Sequence, residues 1–368
     1  MPIVRPKIVI LYLVWSQEPR QYLTAALAGV QAQTYPREDL ELLIVYNSHR
    51  PGEESALPFI EEQVRTNAAN LPHVTILAPE TNLGFSGGNN LGMNWAKENG
   101  FDYVFLHNAD GFLAPGCLEN LIQVFVSDSK IGVVQALVHL YPEQELINSA
   151  GNSFHFLGFG YCRGYRQPAA GLKLPVISEI SYASGAAVCL RTDLLKEHGL
   201  WDEDFFMYHE DLEYSFRLRS LGYRIVLASQ AVFYHQYQFS KSISKYYWME
   251  RNRYGVMLMF FRWPTLFLLL PLAVVLELGL WLFAARGGWL KEKARVYQYW
   301  CRPSSWRLWL GKRKRRQNER RMTDKALLAT ATGVIAFQEA AMKNPLLTHV
   351  GNPLMDAYFR LLKKIIRW

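Results

Sequence analysis

Tyr103-Val104-Phe105-Leu106-His107-Asn108-Ala109-Asp110 is an apolar run that ends in two polar side chains two residues apart. Alternate residues of a strand point the same way, so continued strand geometry would turn Asn108 and Asp110 to one side. Further short apolar runs lie at 7–15, 41–46, 74–78 and 131–138, with helical patterns at 20–33, 58–69, 89–99 and 115–127. That alternation predicts an α/β fold with a mostly parallel sheet flanked by helices. Ligands bind outside the carboxyl ends of such strands, and a carboxylate there can hold a hard divalent cation against phosphates. The local competitor is a turn, which Asn-Ala-Asp-Gly over 108–111 suits chemically.

A hundred residues downstream, Trp201-Asp202-Glu203-Asp204-Phe205-Phe206-Met207-Tyr208-His209-Glu210-Asp211-Leu212-Glu213 places six carboxylates among aromatics. Tyr214, Phe216, Leu218 and Leu221 follow among Arg217 and Arg219, so Glu210-Asp211 is expected to open an amphipathic helix. The helix dipole favours an anion there, and an ionised carboxylate beside an aromatic pocket is what a general base needs. An ordinary acidic first turn is the alternative, with about equal weight from this segment alone. Trp201 is a candidate for stacking on an acceptor, against the commoner fate of a core aromatic. Upstream, Asn82-Leu83-Gly84-Phe85-Ser86-Gly87-Gly88-Asn89-Asn90 precedes a helical stretch expected from Leu91 to about Asn99. Glycines permit close backbone approach, and a helix start offers free N–H groups to an anion. The loop lacks the Lys-Ser/Thr ending of a phosphate-binding P-loop.

In order and spacing these pieces resemble the family-2 inverting glycosyltransferases of GT-A fold, above all a rhamnosyltransferase-like bacterial branch, over roughly residues 5–255. The resemblance implies a nucleotide-binding sheet, a nucleotide-diphosphate-sugar donor, and Mg2+ or Mn2+. It makes 82–90, with Gly84, Phe85, Gly87, Gly88, Asn89 and Asn90, a donor loop, and sets Asn108 and Asp110 in the metal-binding element. Ser184, Gly185 and Ala186 then fall in the acceptor segment, Asp211 is the catalytic base, and His235 is a second metal ligand. Glu210 remains the alternative base and an acceptor contact, since adjacent carboxylates are not separable by sequence. Tyr46 stands where the family usually carries a base-reading Asp, which leaves base recognition to Asn47 or alters it. Arg251 and Arg253 are expected to clamp a diphosphate, against the alternative of a solvated basic patch. The branch implies transfer of a single sugar, with L-rhamnose one candidate, to a lipid-linked or polysaccharide acceptor.

Two other function classes compete. A sugar-phosphate nucleotidyltransferase would carry a Gly-rich, Arg-containing loop after the first strand, which is absent between Trp15 and Tyr22. A non-catalytic scaffold or carbohydrate-binding protein is favoured by Tyr46 and by the single carboxylate of the metal element. The chain also lacks the Gln-X-X-Arg-Trp motif of processive synthases.

With 368 residues, half of them hydrophobic, the chain supports one sizeable core plus an appendage and is not of a disordered class. Cys117, Cys162, Cys189 and Cys301 form no Cys-X-X-Cys pair, and Met1–Pro6 lacks the layout of a signal peptide, so a cytoplasmic setting is expected. The net charge of +8 conceals an asymmetry: residues 1–240 carry 16 basic against 25 acidic residues (−9), and 241–368 carry 24 against 7 (+17). The basic half flanks Pro264–Ala285, a 22-residue apolar run containing one charge, Glu277. Anionic lipid, not nucleic acid, is therefore the expected partner.

The expected organisation is a catalytic domain over 1–240, with a donor half to about 140 and an acceptor half over 141–240. A basic juxtamembrane and apolar helical segment follows over 241–300, and a basic helical region over 301–368. The apolar run is long enough to span a bilayer. Yet residues 286–321 carry 13 Lys/Arg against two Glu, which prefer the cytoplasmic side. Pro271 is expected to break the run and Glu277 is costly at mid-bilayer. A re-entrant hairpin or interfacial helices are thus favoured over a single span, at the cytoplasmic face of the inner or plasma membrane. Leu354–Trp368 reads as a basic helix lying on that surface.

Overall fold

The computed structural model describes residues 5–48, 52–237, 245–336 and 345–368. The expected boundary at 240/241 lies outside the described residues. Two compact units are resolved: one comprises 1–151, 162–206 and 224–237, the other 152–161, 207–223 and 238–368.

The first unit is built on a sheet of β1 (Ile8–Val14), β2 (Leu40–Tyr46), β3 (His73–Leu77), β4 (Tyr103–Asn108), β5 (Gly111–Leu113), β6 (Ile131–Leu140), β7 (Ile147–Ser149), β10 (Ile177–Glu179), β11 (Ala187–Arg191) and β12 (Arg224–His235). Strands β8 (Asn152–Phe154) and β9 (Gly160–Cys162) pair separately. Its order is β10-β12-β6-β11-β4-β1-β2-β3. From β3 to β4 the pairing is parallel, β11 enters antiparallel between β4 and β6, and β12 runs parallel to β6. Every residue of β1 and β2 is buried, as continuous apolar strands covered on both faces must be. The covering helices include α1 (Arg20–Gln31), α2 (Leu57–Asn67), α3 (Gly84–Glu98), α4 (Cys117–Ser127) and α5 (Thr192–His198). The fold is mixed α/β of GT-A type, with the strand order switching sides at β1, so that β2 and β3 lie on one side of it and β4 on the other.

Helix α3 begins at Gly84, seven residues before its expected start. The glycines let its first turns pack tightly: a Cβ at Gly88 would lie 2.6 Å from Leu13. Gly84 has φ +73°, a backbone state that only glycine adopts cheaply.

The second unit holds α6 (Glu210–Ser220), α7 (Tyr246–Phe260), α8 (Trp263–Gly287), α9 (Leu290–Trp300), α10 (Pro303–Glu319), α11 (Asp324–Leu327) and α12 (Asn352–Ile365). Helix α8 is continuous through Pro271, which corrects the expected break and with it the re-entrant hairpin. Proline removes one backbone bond, but the other face of α8 is fastened along its length. Thr265 bonds Asp324, and the Leu268 carbonyl accepts from Tyr358 of α12 at 2.6 Å. Glu277 pairs with Arg253 of α7 at 3.2 Å and with Lys293 of α9, and it accepts from Tyr297 at 2.9 Å. The outward face carries Trp263, Phe267, Leu270, Val274, Leu278 and Leu282, all exposed. Among the described residues, α8 is the one helix long and apolar enough to cross a membrane.

Candidate active site

Asp110 follows the carboxyl end of β4, and 125 residues separate it from His235 at the end of β12. The pairing of β12 with β5 sets His235 opposite Gly111, and the Gln236 N–H bonds the Asp110 carbonyl at 2.8 Å. A side chain at 111 is excluded, since its Cβ would lie 2.2 Å from the Phe233 ring. His235 Nε2 then stands 2.7 Å from Asp110 Oδ1 and 3.1 Å from Asn108 Nδ2, while Nδ1 faces Asn148 Oδ1 at 3.0 Å. The tautomer that satisfies both amides puts the proton on Nδ1 and turns the Nε2 lone pair toward the carboxylate. Asn108 Nδ2 also donates to Asp110 Oδ1 at 2.6 Å; in this tautomer the carboxylate oxygen and Nε2 converge as two ligands of one cation would, and with a proton on Nε2 they form a hydrogen bond. A carboxylate and an imidazole whose far N–H is held by an amide carbonyl suit a divalent transition metal that keeps positions open for phosphate oxygens. Among the described residues no three His, Cys, Asp or Glu are placed together so as to hold a metal ion, so a cation here would take only these two such ligands. Asn148, in β7, escaped the sequence reading, because the antiparallel β6–β7 and parallel β6–β12 pairings that bring it to His235 have no local signature.

The segment 184–186 lies beside this group: the Asn108 N–H donates to the Ala186 carbonyl at 3.1 Å, and the Ser184 N–H donates to Gln135 Oε1. Other expected donor or acceptor residues have different roles. Asn47 is buried, with Nδ2 donating to the Gly84 carbonyl (2.9 Å) and Asn82 Oδ1 (3.2 Å) while its Oδ1 accepts from the Leu83 N–H. Its amide ties the 82–84 loop to β2, which corrects the expected reading of a nucleotide base. Asn90 bonds the backbone of Trp201 in both directions and also Glu203. Asn89 bonds the Phe85 carbonyl. Both side-chain amides therefore hold protein atoms and not a donor. Trp201 is 3% exposed, with Phe85 5.8 Å away ring to ring and Gly185 against its edge, so it is a core residue and not an open stacking platform. Gly84 and Gly87 are closed off likewise: added Cβ atoms would lie 2.6 Å from Phe206 and 2.9 Å from Leu83.

A cavity of about 340 Å3 opens at the carboxyl end of β1, lined among others by Trp15, Ser16, Glu18, Arg20, Ser55 and Phe59. The Arg20 guanidinium sits 5.0 Å from the Phe59 ring centre. Tyr46 does not enter this space as a carboxylate would. It is buried, and its hydroxyl accepts from Ser55 and from the Ala56 N–H. Arg20 and Phe59 were not distinguished in the sequence, since the wall is assembled from the β1–α1 loop, the start of α1 and α2.

In the second unit α6 opens at Glu210, as its sequence predicts. The two adjacent carboxylates differ in setting. Glu210 is buried, and burial followed by the charge of Asp211 drives its pKa well above the usual carboxylate value. Asp211 is half-buried, with Oδ1 accepting from the Leu212 N–H. Burial therefore disfavours the charged form of Glu210, whereas Asp211 keeps access to solvent. Arg253 is not a diphosphate clamp. Its guanidinium nitrogens go to Glu250 (2.9 and 3.1 Å), to Glu277 and to the Leu157 carbonyl, all within a buried cluster. Burial opposes ionisation of Glu250, but Arg253 and Lys293 outweigh it and leave its pKa at about 2. Arg251 is buried against Trp248 and Tyr299, its Nε on Asn252.

Residues 6–255 match the model of the family described as glycosyltransferase like family 2. The chain belongs to that family. No curated protein sequence matches it. Among solved structures, this family-2 chain resembles the mannosyltransferase PcManGT from Pyrobaculum calidifontis in complex with GDP-Man and Mn2+. The two share 12% identity over 100% of this chain and 89% of that one, with a TM-score of 0.50. It also resembles GalNAc-T7 with UDP, GalNAc and Mn2+, at 15% identity over 63% of this chain, with a TM-score of 0.52. The chain spans 43% of the length of GalNAc-T7.

Proposed function

We propose that this family-2 chain is an inverting glycosyltransferase that moves one sugar from a nucleotide-diphosphate donor to a lipid-linked or polysaccharide acceptor. The observation that carries the reading is the Asp110–His235 pair, a carboxylate oxygen and a ring nitrogen 2.7 Å apart at the carboxyl ends of β4 and β12. Mn2+ accompanies both structural relatives named above, and Asp110 and His235 would hold it or Mg2+ here. When bound, the ion would offset charge on the departing diphosphate. The Trp15–Phe59 cavity is the proposed seat of the nucleotide base, with Arg20 at its rim. Asp211 is the proposed base that takes the proton from the acceptor hydroxyl as that oxygen attacks the anomeric carbon. L-rhamnose is the first sugar to test.

The reaction is proposed to take place on the cytoplasmic leaflet of a membrane. A helix crossing the bilayer would have to draw Arg253 and Lys293 in with it or leave Glu277 unpaired there, at several kcal/mol. Lying in the interface, α8 keeps those pairs and buries its outward apolar face. Leu354, Leu361 and Ile365 of α12 are exposed as well, and Lys363 and Lys364 beside them are proposed to meet anionic headgroups.

The test is a screen of nucleotide sugars against the full-length chain, with lipid-linked sugar acceptors in anionic vesicles. Nucleoside diphosphate release that requires Mn2+ or Mg2+ is expected, together with co-sedimentation that weakens at high salt. A folded chain that binds vesicles yet releases no diphosphate from any donor would be the scaffold instead.

A further inference from the structure

We infer that Asn252 is the positioning residue that aims Asp211, an inference that rests on Asp211 being the base. The chain enters α6 through an unusual turn: Phe206, Tyr208 and His209 all have positive φ, of 62°, 64° and 70°. None is glycine, and side-chain-bearing residues held at such strained angles persist only where their surroundings over-determine them. Three within four residues, immediately before Glu210-Asp211, fix the direction in which the helix starts.

The restraint comes from α7. Asn252 is fully buried, and its Nδ2 donates to two carbonyls of that turn, Met207 at 3.0 Å and Tyr208 at 2.7 Å. Its Oδ1 accepts from Arg251 Nε at 2.8 Å, which fixes the amide's orientation so that the donors face the turn. The neighbouring residue completes the frame. Arg253 donates to the Leu157 carbonyl at 3.1 Å, and His209 lies 3.3 Å from the Gly158 carbonyl through Nε2. Burial lowers the His209 pKa to about 4, with the Gly158 bond opposing, so this contact is made by a neutral ring. An amide suits the position of Asn252 because it supplies two N–H donors to adjacent carbonyls without a charge. Aspartate has the same shape and would set one oxygen against both carbonyls. Asn252 itself touches no reacting atom in this account. It acts through the turn that carries Asp211.

The test compares Asn252→Ala in two backgrounds, the full-length chain and its Asp211→Asn variant, by turnover, donor KM and thermal unfolding. In the first background kcat is expected to fall about 10- to 100-fold, as for a misplaced catalytic group, with donor KM unchanged. In the Asp211→Asn background the same substitution should leave the residual rate unchanged, because groups acting as a unit are not additive. Asn252→Ser keeps one hydroxyl donor and should fall between, and it is the variant to use if Asn252→Ala does not fold. Equal losses in both backgrounds, or unchanged kcat in the first, would overturn the positioning role while leaving Asp211 as base. Near-native turnover of Asp211→Asn alone would remove the base assignment and this inference with it.

Discussion

Replacing Asp211 by Asn is expected to cut turnover by about 10²–10⁴-fold, the contribution of a positioned general base, with donor affinity nearly unchanged because the base acts in the transition state. Glu210→Gln is expected to behave in the opposite way. The Glu210 carboxyl is buried and its folded pKa is raised above 4.5, so its stabilisation is complete below that pH and is lost as pH rises through the folded pKa. Gln at 210 should therefore keep most of the activity and raise Tm most at neutral to alkaline pH. Turnover, donor titration and unfolding scans on the two variants, each from pH 5 to 9, check this contrast. Near-native turnover in Asp211→Asn beside a dead Glu210→Gln would exchange the two roles.

The second large effect is expected at Asp110. Asp110→Ala should bring donor affinity in Mn2+ down to its metal-free level. The loss should exceed the roughly 10–100-fold typical of removing an outer-shell partner. His235→Ala should cost less, because one carboxylate and the donor's phosphates still hold the ion. Asn148→Ala removes only the carbonyl facing His235 Nδ1 and should cost about 10-fold. Calorimetric titration of nucleoside diphosphate with and without Mn2+ reads all three. Wild-type metal dependence in both Asp110→Ala and His235→Ala would place the ion elsewhere.

What was legible in the sequence follows the range of the interactions. Strands β1, β2 and β4 and the start of α6 were readable because apolar runs and an acidic first turn are local signals. Asp110 stood out because a carboxylate ending an apolar strand is conspicuous. The side-chain roles in the glycine-asparagine loop were not readable. Asn47 and Asn90 are the polar types a donor loop needs, yet their bonds to Gly84 and Trp201 are set by chain crossings 37 and 111 residues apart, while the local bond of Asn89 to the Phe85 carbonyl lies in the part of α3 ahead of the expected helix start. Glu277 misled for a similar reason. Alone in an apolar run it signals a costly charge, and only the packing of α7 and α9 supplies Arg253 and Lys293. Asn252 was legible only as the residue between two arginines.

Single displacement by an acceptor hydroxyl that Asp211 deprotonates makes one stereochemical demand, which is met or failed by the anomeric configuration of the glycoside formed by the wild-type chain. Proton NMR of the first product formed from a donor found active in the screen reads it directly. A configuration opposite to that of the nucleotide sugar is the predicted result. A product of the donor's own configuration would contradict the account, because it would require a mechanism in which a single base at Asp211 is not sufficient.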